Sequence, residues 1–270
     1  MQQKIELLAI GSDIEFALLD KKTKEFVSAE GLIQGTKEEP FKFDPNNEHY
    51  ATSLDNVLYE GNIPPATSSY EFYMYVRRLQ KYMQSQLPEN LKLVSVAAPK
   101  YNVEKYLSTL NAKTAGCAAS INAWTAAYEH PQIGDTPYRG AGLHLHVSYK
   151  NAEPFLSLDL IKAMDLYLGV PAVLIEPENA RKTTGYGKAG NCRLGKSYPG
   201  VEYRSLSGYF SKNKKLLEWC FNNTKHAIDF INSGKIELIQ NRGIEIQEII
   251  NFELKNEAEK LIKEFNINMI

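Results

Sequence analysis

Near its start the chain passes from a largely apolar run, Ile5 to Ile10, through Gly11-Ser12 into an alternation of polar and apolar positions, Asp13-Ile14-Glu15-Phe16. The run reads as a buried strand and the alternation as a strand with one polar face. They give strand segments over 5–10 and 13–19, with a turn at Asp20-Lys21-Lys22-Thr23-Lys24 and a return near Phe26. Alternation recurs before Pro64-Pro65, over residues 91–97, at Leu143–Ser148 and at Val201–Leu206. Helical spacing replaces it in Phe72, Val76, Leu79 and Met83, behind the capping residues Thr67-Ser68-Ser69. A second helix carries Leu158, Ile161, Met164 and Leu168, with Ser157 as its cap and Gly169 and Pro171 as its end. A third spans Leu216 to Ile231, and Ile236 to Ile270 reads as a charged, mostly helical tail. Between these lies a polar loop from about Glu176 to Pro199, long enough to imply a task. This order is too irregular for a doubly wound parallel sheet. The predicted fold is α+β, a curved, mainly antiparallel sheet backed by helices.

The faces carry the chemistry. In an extended strand alternate side chains share a face, so Asp13 and Glu15 lie opposite Ile14 and Phe16, and Glu60 and Asn62 share a face of their strand. His144, His146 and Ser148 lie opposite Leu143, Leu145 and Val147, and Glu202 and Arg204 lie opposite Val201 and Tyr203. Each pattern alone is that of an ordinary solvated sheet face. Pooled on one face, the four form a cage of oxygen and nitrogen ligands for hard divalent cations, with imidazole and guanidinium groups for phosphate. The small residues Gly140-Ala141-Gly142 leave room beside the histidines for a bound group, metal or phosphate.

Composition narrows the setting. With 270 residues, 43% hydrophobic and 11% aromatic, the chain is long enough for a substantial core. The motifs span residues 13 to 204, so a shared site implies one catalytic domain over 1–235, with the tail 236–270 packed on it. A net charge of -1 gives no reason to expect nucleic acid or an anionic membrane as partner. Cys117, Cys192 and Cys220 are odd in number and lack paired metal spacing, which points to a reducing, cytoplasmic setting. No apolar run approaches membrane-spanning length, and no signal core follows Met1, so a soluble protein is expected.

The motifs also match a family in order. They are Gly-x-Asp-x-Glu-Phe at 11–16, Gly35-Thr36-Lys37-x-x-Pro40, Asp55-Asn56-Val57-x-x-Glu60-x-Asn62-Ile63-Pro64-Pro65-Ala66 and Gly116-Cys117 with Asn122-Ala123-Trp124. The His-x-His strand, Arg181 with Tyr186-Gly187-Lys188-Ala189-Gly190-x-x-Arg193, and Val201-Glu202-Tyr203-Arg204-x-Leu206-Ser207 complete the series. Over residues 10–210 the chain resembles the phage-type carboxylate-amine ligases, amidoligases of the glutamine synthetase and glutamate-cysteine ligase superfamily. The resemblance implies a funnel-like site on an antiparallel sheet, as in the glutamine synthetase catalytic domain. There ATP phosphorylates a carboxylate and an amine displaces the phosphate, leaving an amide or peptide bond. It also implies a phage-encoded enzyme acting in the host cytoplasm on small-molecule or peptide acids and amines, with homo-oligomers among the expected assemblies. By the same resemblance Asp13, Glu15, Glu60, His144 and Glu202 would hold two or three magnesium ions, with manganese as an alternative. His146, Arg193 and Arg204 would face the nucleotide phosphates and the acyl phosphate, joined by Arg181 and Lys188. Glu60, Arg193 and Arg204 would be the catalytic residues, and the loop over 176–199 a lid. The chain departs from the family at Ala118-Ala119-Ser120, where acidic residues are usual, and at Leu143 and Ser148, where the phage group favours glycine.

Two other readings use the same residues. A metal-dependent hydrolase would activate water with similar ligands, but His-Glu-x-x-His and cysteine pairs are absent. A nucleotide-binding relative without turnover would have no need of the full charged set.

Overall fold

The computed structural model describes residues 4–113, 119–130, 136–177 and 184–270. Its first strand, β1 (Leu7–Asp20), is the hub. The two expected strand segments are one continuous strand. Its register slips between Ile10 and Ser12, where β1 pairs with β5 (Leu58–Ala66). On its other side β1 pairs over Leu7–Ile14 with the histidine strand β9 (Leu143–Tyr149), and over Ala17–Asp20 with β6 (Leu91–Val94). A second shift falls between Leu7 and Ala9 in the pairing with β9, and bulges of this kind bend the strand that carries them.

The remaining strands are β2 (Phe26–Val27), β3 (Phe41–Lys42), β4 (Ala51–Asp55), β7 (Ser120–Asn122), β8 (Tyr128–Glu129), β10 (Asn191–Leu194) and β11 (Gly200–Tyr203). The sheet runs β3-β4-β5-β1-β9-β11-β10-β7-β8, with β2 and β6 joined to β1 off that path. It is open, and its strand pairings are antiparallel.

Helices cover one face. In α1 (Ser69–Ser85) the predicted stripe Phe72, Val76, Leu79 and Met83 is fully buried. Ser68 caps it by accepting from the Glu71 N–H at 3.2 Å, and Glu71 reaches back to the Thr67 N–H. Leu79 and Met83 rest on Gly61 so closely that a Cβ there would lie 2.7 Å from a Leu79 methyl. The second helix departs from expectation. Between α2 (Val103–Tyr106), α3 (Leu110–Lys113) and the C-terminal half, α4 (Pro154–Met164) starts at Glu153 rather than Ser157, whose hydroxyl instead bonds the buried Tyr149 hydroxyl at 2.6 Å. Gly169 and Pro171 do not end it: a π turn (Asp165–Gly169) leads straight into α5 (Val170–Ile175). The wide turn absorbs the proline, and Gly169 lets Ile250 and the Tyr203 hydroxyl approach where a Cβ would collide. α6 (Lys214–Asn232) matches its sequence pattern. The tail forms α7 (Ile236–Gln240), α8 (Gly243–Phe252) and α9 (Lys255–Glu264), and its Ile239, Ile246, Ile249, Ile250 and Leu261 lie in the main core cluster.

On the opposite face of β1 and β5 sits a smaller apolar cluster of Ala17, Val57, Leu58, Tyr101, Leu107, Ala112 and Ala141. Ala17 has the parity of Asp13 and Glu15, and Leu58 that of Glu60. The polar face is therefore closed at one end by segment 97–113 and open at the other.

Where β11 meets β9, Gly200 (φ +154°) lies so close that a Cβ would sit 2.0 Å from the Val147 carbonyl oxygen. Backbone cannot yield as a side-chain tip does. Gly200→Ala is expected to lower unfolding free energy by about 3 kcal/mol, measured by urea denaturation; an unchanged midpoint would contradict this close approach.

Candidate functional site

Register assembles the site. Across the sheet Asn62 faces Asp13 and Asp13 faces His144, while one row along Gly11 faces His146, His146 faces Glu202 and Glu202 faces Arg193. Leu143, Leu145, Val147, Val201 and Tyr203, fully buried on the other face, hold that register by their burial.

The structure therefore gathers Asp13, His144, His146, Glu202, Arg204 and Arg193. Asp13 Oδ1 lies 2.7 Å from His144 Nδ1 and 3.5 Å from His146 Nε2. Glu202 Oε1 contacts the Arg204 guanidinium, with His144 Nδ1 at 3.6 Å and Arg193 Nη1 at 3.8 Å. Donor atoms of Asp13, His146 and Glu202 lie within 4.8 Å of one another. Asp13 Oδ1 and His144 Nδ1 are buried without an aligned hydrogen bond. Two carboxylates, an imidazole and unsatisfied buried lone pairs at this spacing fit a divalent cation.

His144 is held differently from His146. Its Nε2 contacts the Tyr186 hydroxyl, while its Nδ1 lies 2.7 Å from Asp13 Oδ1 without an aligned hydrogen bond. His146 belongs to the cation-sized trio, and His144 Nδ1 lies beside the same two carboxylates, Asp13 and Glu202. Tyr186 also fills the room left by the small residues: a Cβ on Gly140 would lie 2.6 Å from Tyr186 Cβ, and one on Gly142 would lie 2.7 Å from its hydroxyl. His146 stacks on Tyr198, with ring centroids 5.7 Å apart.

Glu60 and Glu15 lie on the neighbouring strands. Glu60 accepts from Ser53 Oγ at 3.3 Å and lies 3.8 Å from Lys37 Nζ, which sits 2.5 Å from Asp55 Oδ2. Glu15 Oε2 accepts from the Gly142 N–H at 2.6 Å. Lys188 is exposed, and its backbone carbonyl rather than its ammonium is engaged, by Ser205 Oγ at 2.7 Å. Arg181 and Gly116-Cys117 lie outside the described residues, as does part of the 176–199 loop.

Burial and charge push like groups apart. Burial, then the adjacent Asp13 carboxylate, raises the Glu60 carboxyl to about 8 despite Lys37. Burial works to raise Asp13 as well, but His144 and His146 outweigh it and hold that carboxyl well below its ordinary range. Burial and then Arg204 push the His144 imidazole down, whereas for His146 burial is overcome by Asp13 and the shift is upward.

Behind this face the buried Asp165 in the π turn accepts from Trp124 Nε1 and the Gly190 N–H, each at 2.7 Å, and from the Tyr203 hydroxyl at 3.0 Å. It ties the Trp124 segment and the end of the long loop to β11. Tyr186, Tyr198, Lys37 and Asp165 carry no signal of this role in hydrophobic period; the room expected for a bound group beside Gly140 and Gly142 is taken by the Tyr186 side chain.

Residues 97–217 match the family model of the phage phiEco32-like COOH.NH2 ligase-type 2. The match covers less than half of the chain. It contains both histidines, Arg193, Glu202 and Arg204, while Asp13, Glu15 and Glu60 precede it. No curated protein matches the chain. Among solved structures the chain is similar to a bifunctional glutathione synthetase from Pasteurella multocida, with a TM-score of 0.45 and 10% identity over 97% of this chain and 47% of that one. The chain thus spans about half the length of that protein. No helix among the described residues is long and apolar enough to cross a membrane.

Removing one partner from a buried ion pair leaves the other charge without compensation. Arg204 is 3% exposed and Glu202 8%. Glu202→Gln is therefore expected to cost about 3 kcal/mol of stability, with part of it recovered in the Glu202→Gln/Arg204→Met double variant. A double-mutant cycle by chemical denaturation that shows simple additivity would contradict the coupling.

Proposed function

We propose that the protein is an ATP- and magnesium-dependent carboxylate-amine ligase, forming an amide or peptide bond through an acyl phosphate. The observation that carries this reading is the convergence of Asp13, His146 and Glu202 with Arg193 and Arg204 on one sheet face, within and beside ligase-family sequence. Residues 1–235 are the catalytic unit in this reading, with 236–270 packed on it, and the bent polar face is the wall of a glutamine synthetase-like funnel. The reading places the protein in solution in the cytoplasm, phage-encoded, with small-molecule or peptide acids and amines as substrates.

Asp13, His146 and Glu202 would hold one cation, and Glu15 and Glu60 offer carboxylates for a second; magnesium bound there supplies neutralisation of phosphate charge. Manganese would suit the imidazole ligand as well. An oxygen of the substrate carboxylate attacks the γ-phosphorus of ATP and ADP leaves. The amine nitrogen then attacks the activated carbonyl carbon, phosphate departs with the C–O electron pair, and the nitrogen gives up a proton. Arg193 and Arg204 supply fixed positive charge along that path, which favours phosphate oxygens as charge develops on them. His144, clamped between Asp13 and Tyr186, orients the Asp13 carboxylate. The covering loop, with Tyr186 and Lys188 on it, shields the mixed anhydride from water.

With magnesium and a panel of acids and amines, ADP release is expected only when both an acid and an amine acceptor are present. His146→Ala is expected to lower it at least a hundredfold with little change in thermal midpoint, since His146 lies on the open face. ADP formation indifferent to both acceptors, or a wild-type rate in His146→Ala, would overturn the reading.

A further inference from the structure

At the closed end of the polar face lies a buried cation with no ion pair among the described residues. Arg139 is 8% exposed. Its Nη1 donates to the carbonyls of Thr136 and Tyr138, at 2.7 and 2.9 Å, and its Nη2 to that of Ala112 at 3.1 Å. No carboxylate among the described residues forms an ion pair with it. Its Nε is buried with no acceptor. Three of its five N–H groups are thus spent on backbone, and Nε–H with a remaining Nη2–H is the edge that grips a carboxylate in two parallel hydrogen bonds. A guanidinium stays charged at any accessible pH, so burial here leaves it short of a counter-charge.

Tyr101 stands beside it. Lys100 and Tyr138 form an antiparallel bridge, flanked by hydrogen bonds from Tyr101 N–H to Pro137 and from Arg139 N–H to Pro99, so Tyr101 and Arg139 share a face as diagonal neighbours. Tyr101 is 2% exposed and its hydroxyl has no partner. Burial pushes that phenol upward, and it feels both the Arg139 guanidinium and the Glu15 carboxylate. Two donors, each more than nine-tenths buried and each with an unsatisfied N–H or O–H, therefore sit together where the face carrying Asp13 and Glu15 ends. Backbone bonds account for Nη1 of Arg139; they do not account for its free edge or for the Tyr101 hydroxyl.

We propose that Arg139 and Tyr101 form a binding subsite for a carboxylate group of the acid substrate, separate from the carboxylate that is activated. Asp13 and Glu15 are two residues apart on β1, about 7 Å of strand, so a group held beyond Glu15 cannot also lie at the cation trio. The acid is then one with a second carboxylate several bonds from the first, a dicarboxylate or a carboxylate-bearing amino acid or peptide. This rests on the ligase reading for the identity of the ligand as substrate, but not for its binding.

The test is thermal unfolding of the full chain with sodium acetate, succinate, glutarate and adipate at fixed ionic strength, without nucleotide or metal. At least one diacid is expected to raise the wild-type midpoint saturably, and acetate much less. Arg139→Gln should weaken the apparent affinity about tenfold or more, and Tyr101→Phe a few-fold. A flat wild-type response to every diacid, or an equal response in Arg139→Gln, overturns the subsite. If Arg139→Gln fails to fold, Arg139→Lys and Tyr101→Phe decide, and wild-type affinity in both overturns it. Diacid binding that needs Arg139 in a protein forming no ADP sinks the ligase reading and leaves the subsite standing. ADP formation with the acid KM unchanged in Arg139→Lys and Tyr101→Phe does the reverse.

Discussion

The structure depends on one strand keeping its register against both neighbours across the site, from His144 to His146. β9 lies between β1 and β11, and its partners set Asp13 opposite His144 and Glu202 opposite His146. A slip of one residue would turn both histidines into the core and Leu143, Leu145 and Val147 into the cleft. Burying each of those apolar side chains is worth roughly 1.5–3 kcal/mol, so the slipped register is excluded by the face opposite the site. The polar groups contribute nothing comparable, since two carboxylates, two imidazoles and a guanidinium drawn out of water cost stability before any pairing repays it. The core positions the chemistry, and the chemistry is carried at the core's expense.

That cost shows in how the carboxylates are driven apart. Asp13 and Glu60 are neighbours on paired strands, yet burial and the mutual repulsion of the two raise Glu60, whereas two imidazoles keep Asp13 ionised. A cluster in which one carboxyl is pushed up while its neighbour is held down has an unfilled need for positive charge. Lys37 answers part of it from the rim, 2.5 Å from Asp55 and 3.8 Å from Glu60. At the other side Arg204 and Arg193 bring the opposite excess onto Glu202. The cleft is thus polarised across the sheet, with carboxylates on β1 and β5 and guanidiniums on β10 and just past β11. Cations and phosphate oxygens fit that division side by side.

Much of this was legible in the chain because strand parity is local. Alternation alone places Asp13 with Glu15, His144 with His146, and Glu202 with Arg204, and the buried stripe of α1 follows from spacing in the same way. What parity does not contain is the row on which each strand meets the next, a non-local quantity fixed by packing. Sequence reasoning therefore placed these side chains on shared faces without their distances, which bring donor atoms of Asp13, His146 and Glu202 within 4.8 Å of one another. Tyr186 was quoted only as part of a glycine-rich motif, since a loop side chain has no period to betray its direction. The helix expected to stop at Gly169 and Pro171 continues because a π turn, invisible to a 3.6-residue period, takes up the strain.

The division between matched and unmatched sequence bears on how the site holds together. The family segment supplies β9, β10 and β11, but the carboxylates of β1 and β5 come from the chain before it. β1 is also the strand with the most neighbours, paired along its length to β9, β5, β6 and β2. Its even-numbered residues Ile10, Ile14, Phe16 and Leu18 are fully buried, and the odd-numbered Asp13 and Glu15 project from the same backbone into the cleft. Any displacement of the apolar side moves the acids by the same amount. The N-terminal strand is therefore as much a part of the site as the histidine strand, and the fold makes stability and ligand geometry a single variable there.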